Sequence, residues 1–205
     1  MGCFVFDYNY TKDETHIKAN SLCKKFLKQN NLDYPKILLT SEDNRYKALS
    51  WSHYGWYDFS REILYVNVKK SRPPTKTPGF SWSFPCSKVD LTACGITAHE
   101  YGHHVHHILN KTNKISQKDL FSSLKKIKRL EKKITNYEPN LSEMFAETMR
   151  LFILNPDLLE KACPNRWNFI ANELNLTPVH QKKWEYVLKN AHEKILQANY
   201  KWIEK

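Results

Sequence analysis

Two histidines four residues apart enclose a glutamate in Thr97-Ala98-His99-Glu100-Tyr101-Gly102-His103-His104, and this stretch constrains the chain more than any other. Positions four apart share one face of an α-helix. On a helix, His99 and His103 therefore turn imidazole nitrogens towards one point. Glu100 lies on the rim of that face, badly placed as a third ligand but within reach of a water held there. Leu91, Ala93, Cys94, Ile96 and Val105 make the segment apolar enough to be buried. Buried histidine and glutamate need partners, and a metal ion supplies them. The competing reading is a surface helix that carries the same residues to no purpose.

The residue types suit zinc. Neutral imidazole binds it at about 2.0–2.1 Å, and zinc lowers the pKa of a bound water from about 15.7 towards about 7. A carboxylate in the position of Glu100 takes that water's proton as it attacks a carbonyl, then passes the proton to the leaving amine. A catalytic zinc wants a third protein ligand and one open position. Glu143, in Leu141-Ser142-Glu143-Met144-Phe145-Ala146-Glu147, is the candidate. Glu147 lies one helical turn further on, placed to accept a hydrogen bond from the far nitrogen of a ligand histidine and so fix its tautomer. Two plainer readings stay open. Asn140-x-x-Glu143 is also a capping-box pattern, and Glu147 could form a surface ion pair.

Composition narrows the partners. At 205 residues, 41% hydrophobic and 13% aromatic, the chain is a globular one long enough for a sizeable core. One domain is expected over 1–205: a helix, strand meander and loop over 1–89, zinc-binding helices over 90–160, and helical packing over 161–205. A net charge of +11 favours acidic partners. Much of it falls in 116–135, where Leu120, Leu124, Ile127, Leu130 and Ile134 form an apolar stripe opposite Lys125, Lys126, Lys128, Arg129, Lys132 and Lys133. That face can meet an acidic protein or nucleic-acid phosphates. A solvated helix face explains it more simply.

Five cysteines, an odd number with no C-x-x-C pair, argue against a disulfide framework or a structural cysteine-zinc site. Free thiols in a reducing compartment are the default, with a Cys86–Cys94 pair as the minor reading. The apolar run at the N-terminus is too short for a signal peptide, and Phe6 breaks a myristoylation pattern that Gly2 begins. No run is long enough to span a membrane. A cytoplasmic protein is expected.

Along the chain, periodicity predicts a helix over 13–30 on Ile17, Leu22, Phe26 and Leu27, and strands over 36–40, 46–54 and 62–68. Residues 69–89 read as loop, whose Phe80, Trp82 and Phe84 either line a cleft or plug the core. Asp90 is the expected N-cap of a helix over 91–109. His107 extends the His103 face by a turn, which leaves a second metal site as an alternative to hydrogen-bonded histidines. Pro156, Pro164 and Pro178 punctuate the remainder before a last helix from Val179. A helix-turn-helix over 166–189 is the lesser alternative to packing there. The fold class is α+β and zincin-like: a small antiparallel or mixed sheet, the active-site helix, a glutamate helix, then further helices. In such folds an edge strand can hold an extended peptide.

His99-Glu100-Tyr101-Gly102-His103 followed by Glu143-x-x-Ala146-Glu147 resembles the gluzincin metallopeptidases. The Glu-Met-Phe-Ala-Glu helix is similar to that in the protease domain of anthrax lethal factor and its relatives. The continuation through Leu151-Phe152, Asn155-Pro156 and Leu158-Leu159 resembles metallopeptidases of phages and mobile elements. The likeness covers 90–160 well and the first 60 residues weakly. It implies that His99, His103 and Glu143 bind one Zn2+, that Glu100 is the general base, and that Glu147 supports a ligand histidine. It implies an oxyanion-stabilising role for Tyr137, which stands one residue closer to the glutamate helix than its counterpart. The substrate would be a peptide or protein. Two other classes remain: a basic nucleic-acid-associated or antirestriction-like binding protein with a structural or vestigial zinc, and a metallohydrolase of a non-peptide amide.

Overall fold

The computed structural model describes residues 12–40, 53–72 and 89–179. Helix α1 spans Lys12–Gln29. It ends where the two asparagines put it: Asn31 takes φ 52°, a left-handed conformation that asparagine tolerates, and Leu32 N–H returns to the Leu27 carbonyl. Three short strands follow, β1 Ile37–Thr40, β2 Gly55–Asp58 and β3 Ile63–Val66. Their order is β1-β3-β2, with β1 parallel and β2 antiparallel to β3, so the sheet is mixed. Leu64 and Val66 of the central strand are fully buried, and Trp56 stacks on its cross-strand partner Tyr65.

One strand differs from the sequence reading. The segment 46–54 falls mostly outside the described residues, and His53 and Tyr54 are not in a strand. A strand does begin at Gly55, which the sequence marks as a break. The reason is tertiary. A Cβ on Gly55 would stand 2.5 Å from Oε1 of Glu100, so glycine lets the strand start against that side chain without displacing it.

Helix α2, Ala93–Lys111, is buried along nearly its whole length. Its N-cap is Thr92, whose hydroxyl accepts from Gly95 N–H, and not Asp90. Asp90 acts one step earlier, its Oδ1 accepting from both the backbone N–H and the hydroxyl of Thr92. Helix α3, Gln117–Leu130, is capped by Ser116 and buries Leu120, Leu124 and Ile127. It stops five residues short of 135. Leu130, at its last position, is exposed, while Ile134 is buried in the turn beyond. That turn is held by Glu138, whose Oε1 accepts from the N–H groups of Ile134 and Thr135.

Helix α4, Leu141–Leu154, packs across α2 and forms the centre of the core with it. Glycine inside a helix costs about 1 kcal/mol, so Gly102 needs a reason. A Cβ there would meet the Ala146 backbone of α4 at 2.8 Å. The glycine between the two histidines thus lets the helices approach. On the far side Phe152 meets Phe26 of α1 edge to face, at 6.1 Å between ring centres. Helix α5, Pro156–Ala162, starts on an Asn155 cap with proline in its first turn. Helix α6, Pro164–Asn168, runs into a π-helical turn over Phe169–Glu173. Arg166 is buried here and grips both carboxylate oxygens of Glu138, so this stretch packs against the core.

The helix expected from Val179, the aromatics at 80–85, Cys3 and Cys86 lie outside the described residues. Cys23, Cys94 and Cys163 are buried thiols without a disulfide. Among the described residues no helix is long and apolar enough to cross a membrane.

Candidate metal centre

The close approach of α2 and α4 brings the sequence-predicted residues together. His99 and His103 project from α2 with ring centres 4.9 Å apart, and Glu143 reaches over from the first turn of α4. Glu143 Oε2 lies 3.0 Å from His99 Nε2 and 3.4 Å from His103 Nε2. One ligand atom from each residue falls within 4.8 Å of the others. Half of the capping-box pattern is present as well. Asn140 Oδ1 accepts from its backbone N–H, which leaves the side chain to face the histidines.

His99 Nδ1 lies 2.7 Å from Oε1 of Glu147. A carboxylate only accepts, so Nδ1 carries the proton. In a neutral ring Nε2 then presents a lone pair, and it faces Oε2 of Glu143, a buried oxygen with no hydrogen-bond donor. Two acceptors 3.0 Å apart need a proton or a cation between them. A second proton on His99 is one solution. Burial disfavours a charged ring, but Glu143 and Glu147 overcome it and raise His99 to about 10. A divalent cation is the other solution, and three converging imidazole and carboxylate donors with one side open fit zinc.

Glu147 is not the half of a surface ion pair. It is fully buried, and Arg150 grips both its oxygens, with Nε on Oε1 at 3.1 Å and Nη2 on Oε2 at 3.0 Å. Burial alone would raise its pKa; the Arg150 charge and the bond from His99 reverse this and hold the carboxylate well below its ordinary range.

Glu100 is buried beside this cluster with its carboxylate against the start of β2. Burial pushes its pKa up, which makes it a stronger base than a solvated glutamate. It opens onto a cavity of about 310 Å³ shared with His99, His53, Tyr54 and Tyr137. Tyr137 is about half exposed, and its ring centre stands 5.9 Å from that of His99. Partial burial and the carboxylates of Glu143, Glu100 and Glu147 raise its pKa, so it stays a protonated phenol at neutral pH.

The remaining histidines of α2 form no second metal group among the described residues. His104 Nε2–H donates to the Asp33 carbonyl at 2.7 Å, so its Nδ1 accepts from the Tyr57 hydroxyl at 3.0 Å. That hydroxyl oxygen in turn accepts from His107 Nδ1–H at 2.8 Å. His106 sits among Phe59, Phe121 and Phe145, with neither ring nitrogen hydrogen-bonded. On α3, Lys118, Lys125, Lys126, Lys128 and Arg129 are exposed, with Lys132 and Lys133 just past the helix end.

Sequence reasoning missed Arg150, took Asp90 for the N-cap that Thr92 supplies, and took Gly55 only for a break. Arg150 carried a readable signal, since a cation three residues after a glutamate within an apolar helix must be buried with a partner. Gly55 and Asp90 carried none, because their roles depend on contacts with distant elements. Comparison with protein-family models, curated proteins and solved structures returned no match.

Proposed function

We propose that this chain is a zinc-dependent peptidase of the gluzincin type, with His99, His103 and Glu143 as the ligands of one Zn2+. The observation that carries the reading is Glu143 Oε2, a buried acceptor aimed at Nε2 of both His99 and His103, where an added proton or a cation is needed to satisfy it. When bound, the metal supplies Lewis acidity, which acidifies a water and polarises a carbonyl. Glu100 accepts a proton from the attacking water and returns it to the departing amine, a task suited to its raised pKa. The Tyr137 hydroxyl, protonated and at the cavity mouth, donates to the oxygen on which charge develops. Glu147 holds the proton on His99 Nδ1 and so keeps Nε2 turned to the metal. Strand β2, which pairs only with β3 among the described residues, starts beside Glu100 and offers backbone groups to an extended peptide.

A second reading draws on α3. Two acidic residues at its ends have partners of their own: Asp119 accepts from Ser116, and Glu131 accepts from the N–H groups of Asn165 and Arg166. The exposed Lys118, Lys125, Lys126, Lys128 and Arg129 make α3 a basic surface of the kind that meets acidic proteins or nucleic acid.

The test begins with metal analysis of the purified protein beside Glu143→Ala. About one zinc per chain, lost in the variant, supports the three-ligand site and leads to a peptide-library screen with Glu100→Gln as the inactive control. No zinc after reconstitution sinks the peptidase reading. Salt-dependent DNA binding that survives Glu100→Gln, with no cleavage, favours the second.

A further inference from the structure

We propose that Arg150 is a positioning residue for the metal centre, acting through Glu147 on His99; this rests on the zinc reading above. The guanidinium is fully buried in α4, beside Met149, Leu151 and Phe152. Such burial is expensive, and apolar residues often replace a buried ion pair with no loss of stability. Stability alone is therefore a poor reason for this arginine.

Its geometry supplies a better one. The planar fork holds both oxygens of Glu147 and so fixes the plane and rotation of the carboxylate. The oxygen that meets Arg150 Nε is the same Oε1 that accepts from His99 Nδ1. With the fork in place, the remaining lone pair of Oε1 is directed at the imidazole. Rotating the carboxylate would release the ring whose other nitrogen faces Glu143.

The arginine is itself tied down. Its Nη1 lies 3.9 Å from Oδ2 of Asp90, which is also buried. The other oxygen of Asp90 accepts from the backbone and hydroxyl of Thr92, the cap of α2. The path Thr92, Asp90, Arg150, Glu147, His99 thus leaves α2 at its cap, crosses to α4, and returns to α2 at a ligand. It references the imidazole to its own helix by a route outside that helix. A lysine at 150 would keep the charge but not the fork.

The test compares the wild type with Arg150→Met, Arg150→Lys, Glu147→Gln and the double variant Arg150→Met/Glu147→Gln. The readouts are zinc affinity by chelator competition, the visible spectrum of the Co2+ form, and the melting temperature of the metal-free protein. Arg150→Met is expected to weaken zinc binding about 10-fold or more, as loss of an outer partner of a ligand histidine does. In the Glu147→Gln background the same substitution should change affinity by less than about twofold, since its route to the metal is already cut. Arg150→Lys should recover much of the melting temperature while affinity stays low and the Co2+ bands stay altered. If Arg150→Met fails to fold, Arg150→Lys carries the comparison.

A lowered melting temperature with wild-type affinity and spectrum would show a merely structural arginine and overturn the proposal. So would equal losses in both backgrounds. Weak binding in Glu147→Gln with normal binding in both Arg150 variants would overturn it and leave the zinc reading standing. A wild type that binds neither Zn2+ nor Co2+ would overturn both.

Discussion

Gly102→Ala adds one methyl group where the backbone of α4 lies against α2. The new carbon would stand 2.8 Å from Cα and O of Ala146 and 3.1 Å from Cβ of Met149, whereas ordinary contact begins near 3.4 Å. Helix α4 must therefore retreat by about 0.6 Å, because backbone atoms cannot step aside as a rotamer can. Two terms oppose. Replacing glycine inside a helix contributes about 1 kcal/mol in favour of folding, and overpacking costs roughly 1–3 kcal/mol. A net loss of about 1 kcal/mol is expected for the metal-free protein, or roughly 2–4 °C in melting temperature. The retreat also carries Glu143 away from His99 and His103 by several times the ~0.2 Å latitude of metal–ligand distances. Zinc affinity should fall about 10-fold, which by linkage adds about 1.4 kcal/mol to the loss when zinc is present. Urea denaturation with chelator and with saturating zinc separates the two effects. A variant about 1 kcal/mol more stable than wild type, with unchanged zinc affinity, would refute the argument, since only the helix-propensity gain would remain.

Gly55→Ala presses on the side chain of Glu100 and not on backbone, so stability and zinc content should hold. Peptide cleavage should drop about 100-fold through displacement of the base by roughly 1 Å, and unchanged cleavage would remove Glu100 from that role. Glu138→Ala leaves Arg166 buried without its bidentate partner, and also frees the N–H groups of Ile134 and Thr135; a loss of about 3–5 kcal/mol in urea denaturation is expected. His106 is held neutral in the folded state, lowered to about 4 by burial and by His103 and His107. The unfolded chain takes up a proton there below its ordinary 6.5, so stability present above pH 6.5 should decline towards pH 4, by up to about 3 kcal/mol. His106→Phe, assayed in chelator, should flatten that part of the pH profile; an unchanged slope would show that His106 is not responsible.

Much of the candidate site was legible because it is local. His99, Glu100 and His103 lie within five residues, and the 3.6-residue period of a helix sets their faces whatever surrounds them. The same period placed Glu143 and Glu147 on one side of α4. The apolar stripe of α3 was legible too, apart from its end, where the tight turn held by Glu138 and Arg166 buries Ile134 and leaves Leu130 outside. The extent of β2 was not. Its first residue is a glycine, a local signal for a break, and a close contact with Glu100 overrides it.

The amino-acid sequence by itself determined the helical periods, the cap at Asn140, and the faces on which imidazoles and carboxylates would lie. These follow from interactions within a few residues and survive any arrangement of the rest. Only the tertiary structure decided that the two faces meet, that Glu143 points between both histidines, and that Arg150 and Asp90 stand behind Glu147. Those contacts depend on the separation of α2 and α4, which the absent side chain of Gly102 sets. A missing methyl group has no period and no charge, and its effect exists only once a second helix lies against it.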